Sequence, residues 1–265
     1  KETLVAAGAL VMRKSAEKGV KIIPVDSEHS AIYQSLQGNN PSELSKIILT
    51  CSGGMFYGQD TVYLKSLGNV STIDIKNNNW SMGAKVTLDS ATLMNKGLEF
   101  VEAMHLFGVS PDQIEVVIHR ESILHSAVEY ADGAVIAQLG APDMRLPIQY
   151  ALTGARPVSS WKKLSLTDIG ALTFAKPDYD TFTPLTTMKK AAVISENNNN
   201  NAPCFVNAVN EYAVKRFLNG ELRLYDIFEI VGDCLSKLPR SDNISLECVA
   251  ETERAAMEYV QSFKV

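Results

Sequence analysis

Apolar residues fall three and four positions apart from Leu4 and Val5 through Leu10, Val11 and Met12, which predicts a helix over Glu2 to Lys18 with Gly19 as its stop. The run Val20-Lys21-Ile22-Ile23-Pro24 then predicts a strand ending at Val25, with a short helix running on to Leu36. Lys46 to Thr50 and Lys85 to Asp89 also have the length and composition of strands, and they lead into Ser52-Gly53-Gly54 and Ser90. A long helix is predicted from Thr92 to Leu106 and a strand from Ile114 to Ile118. Ser126 to Tyr130 and Ala134 to Leu139 flank Asp132-Gly133 in the pattern of a β-hairpin.

Between Thr153 and Thr183 no period is sustained, and Pro157 and Pro177 interrupt the chain. Four segments then show apolar residues at helical spacing: Leu185 to Glu196, Cys204 to Leu218, Tyr225 to Leu238 and Leu246 to Phe263. The pattern predicts an α/β domain with a mixed sheet over residues 1–153, a connecting segment over 154–183, and a C-terminal four-helix bundle over 184–265. The asparagine tracts Asn39-Asn40, Asn77 to Asn79 and Asn197 to Asn201 predict surface loops, because asparagine favours turns and packs poorly.

With 46% hydrophobic residues in 265, the chain has material for a substantial core. A net charge of −5 without any basic run of five residues argues against phosphate-backbone binding as its main task, so no nucleic-acid partner is expected. Apolar runs are only a few residues long, against roughly 20 for a bilayer crossing, so no membrane partner is expected. Cys51, Cys204, Cys234 and Cys248 lie far apart with no CxxC pair, which reads as buried thiols in a reducing compartment. The chain begins at Lys1 without a methionine or a secretory leader, which reads as a cut.

Two polar constellations could carry chemistry. Asp26-Ser27-Glu28-His29 offers two carboxylates one residue apart, able to face one hard cation such as Mg²⁺ or Mn²⁺. The same residues equally suit the cap and first turn of the helix that comes next. Asp89-Ser90-Ala91-Thr92-Leu93-Met94-Asn95-Lys96-Gly97-Leu98-Glu99 places Asn95, Lys96 and Glu99 close to one helical face. With the hydroxyl of Ser90 and free backbone N–H groups nearby, Asn95 and Lys96 suit a phosphate monoester, and Glu99 could add a carboxylate to a metal site. An exposed face with a Lys96 to Glu99 ion pair accounts for that pattern as well. Ser52-Gly53-Gly54 suits a phosphate or any tight turn. His119 and His125 suit anion binding, proton transfer or a structural role, and Trp80 suits a lid or simple packing.

Taken together and in order, the Asp26-Ser27-Glu28 segment, the Ser52-Gly53-Gly54 turn, Trp80-Ser81-Met82-Gly83, the Asp89 to Glu99 stretch, the His119 to Ser126 segment and Ala141-Pro142-Asp143-Met144-Arg145-Leu146-Pro147 resemble the 1-deoxy-D-xylulose 5-phosphate reductoisomerase family. Asn207-Ala208-Val209-Asn210-Glu211 extends the resemblance into the last helices. The resemblance implies Asp26, Glu28 and Glu99 as ligands of one Mg²⁺, Mn²⁺ or Co²⁺ ion. It implies Ser52, Ser90, Asn95 and Lys96 around the substrate phosphate, Ser27 and Asn95 near its hydroxyls, His125 beneath the substrate, and Trp80 and Met82 as a closing flap. Lys1 would lie beside the metal and substrate oxygens, with Glu28 and Lys1 handling protons, and Met144 and Gly83 would sit on the nicotinamide side. The implied reaction breaks and reforms a carbon–carbon bond of a phosphosugar and then reduces the resulting aldehyde with hydride from NADPH.

Two departures stand out. The family flap reads His-Pro-x-Trp, whereas Asn77-Asn78-Asn79-Trp80 stands here, so its histidine is missing. No GxGxxG or related glycine turn comes after a predicted strand, although the family carries its nucleotide domain ahead of the segment that aligns with Lys1. The resemblance therefore implies a piece that holds metal and phosphosugar without the main NADPH platform, from a homodimer of the bacterial cytoplasm or the plastid stroma. The same acids, lysine and phosphate grip would also serve a redox-free phosphosugar isomerase or aldolase, or a phosphosugar-binding module without catalysis.

Overall fold

The computed structural model describes residues 1–69, 83–198, 200–239 and 244–264. Helix α1 (Glu2–Lys18) ends in the left-handed Gly19, and the chain then runs without regular structure to α2 (Ser27–Ser35). Strand β1 (Leu44–Cys51) is followed by α3 (Thr61–Ser66), and α4 (Ala84–Ala91) precedes α5 (Met94–Phe107). Strands β2 (Ile114–Ile118), β3 (Leu124–Tyr130) and β4 (Val135–Leu139) complete a four-stranded sheet, and α6 (Arg145–Thr153) and the single-turn α7 (Leu166–Ile169) come after it. The last helices are α8 (Thr183–Asn198), α9 (Ala202–Leu218), α10 (Leu224–Asp233) and α11 (Leu246–Ser262).

The sheet is mixed, as the sequence pattern predicts. Its order is β2-β1-β3-β4, with β1 parallel to β2 from Ile47 opposite Ile114 to Cys51 opposite Ile118. The pairs β1 with β3 and β3 with β4 are antiparallel. The C-terminal end of β1 therefore meets the N-terminal end of β3, which brings Cys51 and the Ser52-Gly53-Gly54 turn beside Leu124 and His125. Side chains at such a strand end project beyond the ladder into space that helices and loops can enclose.

Two predicted strands are not strands. Residues 20–25 pair with none of the four strands: Val20 and Val25 are 62% and 44% exposed, and although Pro24 is buried, no neighbouring strand holds the run in a ladder. Lys85 to Asp89 lies within α4, where Thr87, Leu88, Asp89 and Ala91 are all buried. Three consecutive buried residues defeat the alternation a half-buried strand requires and fit a helix pressed between neighbours. The long helix begins at Met94 rather than Thr92, because Leu93 adopts a left-handed φ of 60° that breaks it from α4. Among the asparagine tracts, Asn39 and Asn40 are exposed, but Asn201 is buried and its side-chain amide donates to Thr252 Oγ1. Asn77 to Asn79 lie outside the described residues.

A continuous core joins the sheet, α5 and the C-terminal helices, with Phe100, Phe205, Phe217 and Phe228 among its largest buried side chains. Each such burial stabilises by about 1.5 to 3 kcal/mol. Helix α9 packs against α8, α10 and α11, and also against α1. Gly97 allows α5 to approach α8 closely, since a Cβ there would lie 2.8 Å from Met188 Cβ.

Candidate active site

At the open end of β1, a cavity of about 410 Å³ is lined by residues from the Asp26, Ser52, Asp89 to Glu99, His119 to Ser126 and Met144 segments that the sequence singled out, while Asn207 to Glu211 lies outside its lining. Asp26 and Glu28 enter it from the start of α2. Asn95, Lys96 and Glu99 enter from α5, and Lys1 from the residue before α1. Ser27, Ser52, Gly83, Ser90, His125 and Met144 complete the predicted set on its walls. Trp80 and Met82, expected as a flap, lie outside the described residues.

The acids meet because two helix starts face each other. Asp26 is the residue before α2, yet its side chain makes no capping hydrogen bond; it turns instead to Lys1, whose Nζ lies 2.7 Å from Asp26 Oδ2 and 3.0 Å from Glu99 Oε1. Lys96 Nζ lies 2.8 Å from Glu28 Oε1 and also pairs with Glu99, one turn further along α5. That pair is 2% exposed on both sides, so the solvated ion pair that the spacing also allowed is not what forms. Asn95 donates to Glu99 Oε1 at 2.5 Å and accepts from Lys1 Nζ at 2.8 Å, while Ser27 donates to Glu28.

This crowding shows in the acid–base behaviour of the groups. Burial lifts the Glu28 carboxyl to a pKa of about 7, and the neighbouring Glu99 adds to it against the pull of Lys96. Burial acts in the same sense on Asp26, but the Lys1 ammonium and His29 outweigh it and hold that carboxyl well below the usual range. Lys1 and Lys96 are buried too, and the surrounding carboxylates overcome that penalty and keep both ammonium groups charged far above the ordinary lysine range.

Carboxyl oxygens of Asp26, Glu28 and Glu99 come within 4.8 Å of one another. Three converging carboxylates form the all-oxygen donor set preferred by Mg²⁺ and Mn²⁺, and the two ammonium groups lodged among them show how strongly the cluster demands positive charge. The residues fit a hard divalent cation.

The opposite wall is polar but less acidic. Ser90 lies in the last turn of α4, not at a helix start, and the Ser52-Gly53-Gly54 turn presses against it. Gly54 has a φ of 69°, and a Cβ there would sit 2.4 Å from the Ser90 carbonyl oxygen, so only glycine permits this approach. His119 also reaches the cavity, but its ring is committed to the backbone: Nδ1 lies 3.0 Å from the Thr173 carbonyl, and Nε2 accepts from the Ile123 and Leu124 N–H groups. Burial lowers the His125 pKa and favours its neutral ring.

Sequence reasoning did not single out Thr50, Ser122 or Glu102. Thr50 and Ser122 line the cavity, and Ser122 has a φ of 52° that no local pattern announces. Glu102 stands one turn beyond Glu99, with His29 Nδ1 3.4 Å from its Oε2. The spacing of two acids three apart on α5 was the available signal for it.

Comparison with known proteins supplies independent findings. A family model described as the 1-deoxy-D-xylulose 5-phosphate reductoisomerase C-terminal domain matches residues 22–107, and another described as the DXP reductoisomerase C-terminal domain matches residues 139–259. The 1-deoxy-D-xylulose 5-phosphate reductoisomerase of Agathobacter rectalis is 49% identical over 262 residues, covering 98% of this chain and 67% of the relative. That of Clostridium botulinum is 47% identical over 268 residues, covering 100% of this chain and 68% of the relative. Among solved structures, the Zymomonas mobilis enzyme in complex with NADPH superimposes with a TM-score of 0.86 at 35% identity, covering 98% of this chain and 66% of that one. A DOX-P reductoisomerase in complex with NADPH, fosmidomycin and magnesium gives a TM-score of 0.88 at 36% identity, over 98% of this chain and 67% of that one. The chain thus spans about two thirds of the length of the relatives it matches.

Proposed function

We propose, for a chain that belongs to the 1-deoxy-D-xylulose 5-phosphate reductoisomerase family, that it supplies the metal- and phosphosugar-binding part of an NADPH-dependent enzyme. That enzyme rearranges and reduces 1-deoxy-D-xylulose 5-phosphate to 2-C-methyl-D-erythritol 4-phosphate in the non-mevalonate route to isoprenoids. The convergence of Asp26, Glu28 and Glu99 on one point of a cavity that also presents Ser52, Ser90, Asn95 and Lys96 carries this reading.

Asp26, Glu28 and Glu99 would hold one Mg²⁺, Mn²⁺ or Co²⁺ ion, which acts as a Lewis acid toward substrate oxygens. NADPH supplies the hydride, and Met144 and Gly83, on the cavity wall, are the residues assigned to the nicotinamide side. Lys1 and Lys96 neutralise the acids in the structure. Once a cation meets that charge, Lys1 becomes the donor for substrate oxygens beside Asp26, and Lys96 joins Ser52, Ser90 and Asn95 around the phosphate. Ser27 orients Glu28 by donating to it and would contact a substrate hydroxyl. Glu28 and Lys1 are the groups that would hold or pass protons, while His125 would pack beneath the sugar. Grip on the phosphate, remote from the reacting carbons, provides binding energy to orient them.

The proposal extends to a homodimer. The outer face of the sheet bears an apolar groove of about 470 Å³ lined by Ile48, Val117, Val135 and Phe174, and Val135 is 54% exposed, which suits a second copy of the chain. The reading also places the protein in a reducing compartment, cytoplasmic or plastid. None of the four cysteines is in a disulfide, although only Cys204 and Cys234 are fully buried, while Cys51 and Cys248 are partly exposed.

Calorimetric titration of 1-deoxy-D-xylulose 5-phosphate with and without Mn²⁺, repeated with Glu99→Gln, tests the function. Binding should require the ion and collapse in the variant. Equal affinity in metal-free and metal-loaded protein would overturn the assignment.

A further inference from the structure

Helix α9 reaches the phosphate wall of the cavity through one buried hydrogen bond. Asn210 is 0% exposed and Asp89 is 2% exposed, and Asn210 Nδ2 donates to Asp89 Oδ1 at 2.8 Å across 121 residues of chain. A carboxylate only accepts, so the amide nitrogen of Asn210 must face it and the orientation of the amide is set. The other oxygen of Asp89 lies 2.9 Å from Lys85 Nζ, which also lies 3.5 Å from Glu2 Oε1 and 3.6 Å from Glu211 Oε1. Both oxygens of a buried acid are thus tied, one to the C-terminal helices and one to α4 itself.

The tie matters because Ser90, on the phosphate wall, is the next residue after Asp89. Three positions on from Ser90, Leu93 holds a left-handed φ of 60°, a strained conformation for a non-glycine residue that persists only where the surroundings impose it. That break sets the relation between Ser90 at the end of α4 and Asn95 and Lys96 at the start of α5. From the other side, Gly54 packs on the Ser90 carbonyl and on Ala91 Cα. Ser90 is therefore held between the glycine turn and the Asp89 to Asn210 bond. Burial raises the Asp89 pKa against the pull of Lys85 and Asn210, which shows how fully the acid is enclosed.

We propose that Asn210 is a positioning residue for the phosphate grip: through Asp89 it fixes the end of α4, and with it the placement of Ser90 relative to Asn95 and Lys96. This rests on the phosphosugar reading of the cavity. It gives the C-terminal helices a part in substrate affinity beyond filling the core.

The test measures, by calorimetry on the Mn²⁺-loaded protein, the affinity for 1-deoxy-D-xylulose 5-phosphate and for the unphosphorylated 1-deoxy-D-xylulose, with Mn²⁺ affinity taken separately. Wild-type protein that fails to bind the phosphosugar sinks the functional reading and this proposal together. Given wild-type binding, Asn210→Ala should weaken the phosphosugar about tenfold, the scale of one lost buried hydrogen bond to a charged group. Affinities for Mn²⁺ and for the unphosphorylated sugar should stay within about twofold. Asn210→Asp places two acids together and should weaken the phosphosugar further. The exchanged pair Asp89→Asn with Asn210→Asp rebuilds the bond in reverse and should recover most of the phosphosugar affinity. Undiminished phosphosugar affinity in folded Asn210→Ala, a parallel loss of Mn²⁺ and unphosphorylated-sugar binding, or no rescue by the exchanged pair would each overturn the assignment of Asn210 while leaving the functional reading intact.

Discussion

Single residues in this cavity are constrained more by neighbours than by their own chain segment. Gly54 shows it best, because its positive φ and its contact with the Ser90 carbonyl both exclude a side chain. Gly54→Ala should destabilise the fold by about 1 to 3 kcal/mol, from backbone strain and overpacking, and should weaken phosphosugar binding as Ser90 shifts. Urea unfolding and calorimetric titration of the variant check both, and a wild-type midpoint with wild-type affinity would contradict the packing argument. Lys96 illustrates the electrostatic counterpart. Lys96→Met would leave Glu28 without its ammonium partner and Glu99 with Lys1 alone, so metal-free protein should lose about 3 kcal/mol of stability, with much of the loss recovered when Mn²⁺ is added. Melting curves with and without the ion measure that difference, and a loss that Mn²⁺ does not reduce would argue against a shared cation site.

Helices reach the site by packing on one another, and the contact of α5 with α8 exposes this. Gly97 on α5 lies under Met188 of α8, so Gly97→Ala should cost about 1 to 3 kcal/mol through overpacking. The double variant Gly97→Ala with Met188→Ala should cost less than the two single changes summed, and a double-mutant cycle in urea measures the coupling. Ahead of α8, Asp178 Oδ1 accepts from the N–H groups of Asp180 and Thr181, and hydrogen bonds from Thr181 and Asp180 hold its carboxyl below the usual range. A carboxyl depressed in the folded state contributes stability above its unfolded pKa of about 3.9 and loses it as pH falls through the lower folded value. The Tm gap between wild type and Asp178→Ala should therefore be present at pH 6 and shrink below pH 4. A gap independent of pH would contradict this account.

For the whole molecule, one end of the sheet and two helix starts frame the cavity, and the C-terminal helices pack behind α5. The outer sheet face bears an exposed apolar groove, and the homodimer proposal uses it. Val135→Lys combined with Phe174→Lys places charge on two residues of the groove that are 54% and 53% exposed, and it should shift the protein toward monomer in sedimentation velocity without lowering Mn²⁺ affinity. An unchanged association state would remove this face from the interface.

Much of this architecture was legible in the sequence. β2 was bounded to the residue, the hairpin of β3 and β4 came from Asp132-Gly133, and the four last helices came from periodicity, because a period of two or of 3.6 reports which side of an element meets the core. The order of motifs likewise pointed to residues that share a cavity, though Trp80 and Met82 lie outside the described residues and Asn207 to Glu211 outside its lining. Tertiary structure alone decided that Val20 to Pro24 stays outside the sheet, that Lys85 to Asp89 is helical, and that Leu93 breaks α4 from α5. Each of those outcomes depends on partners distant in the chain: a missing neighbouring strand, Asn210 bonding an acid 121 residues away, and Gly54 packing on Ser90. A linear pattern records which residues avoid water. Which buried groups meet is set only when the whole chain closes.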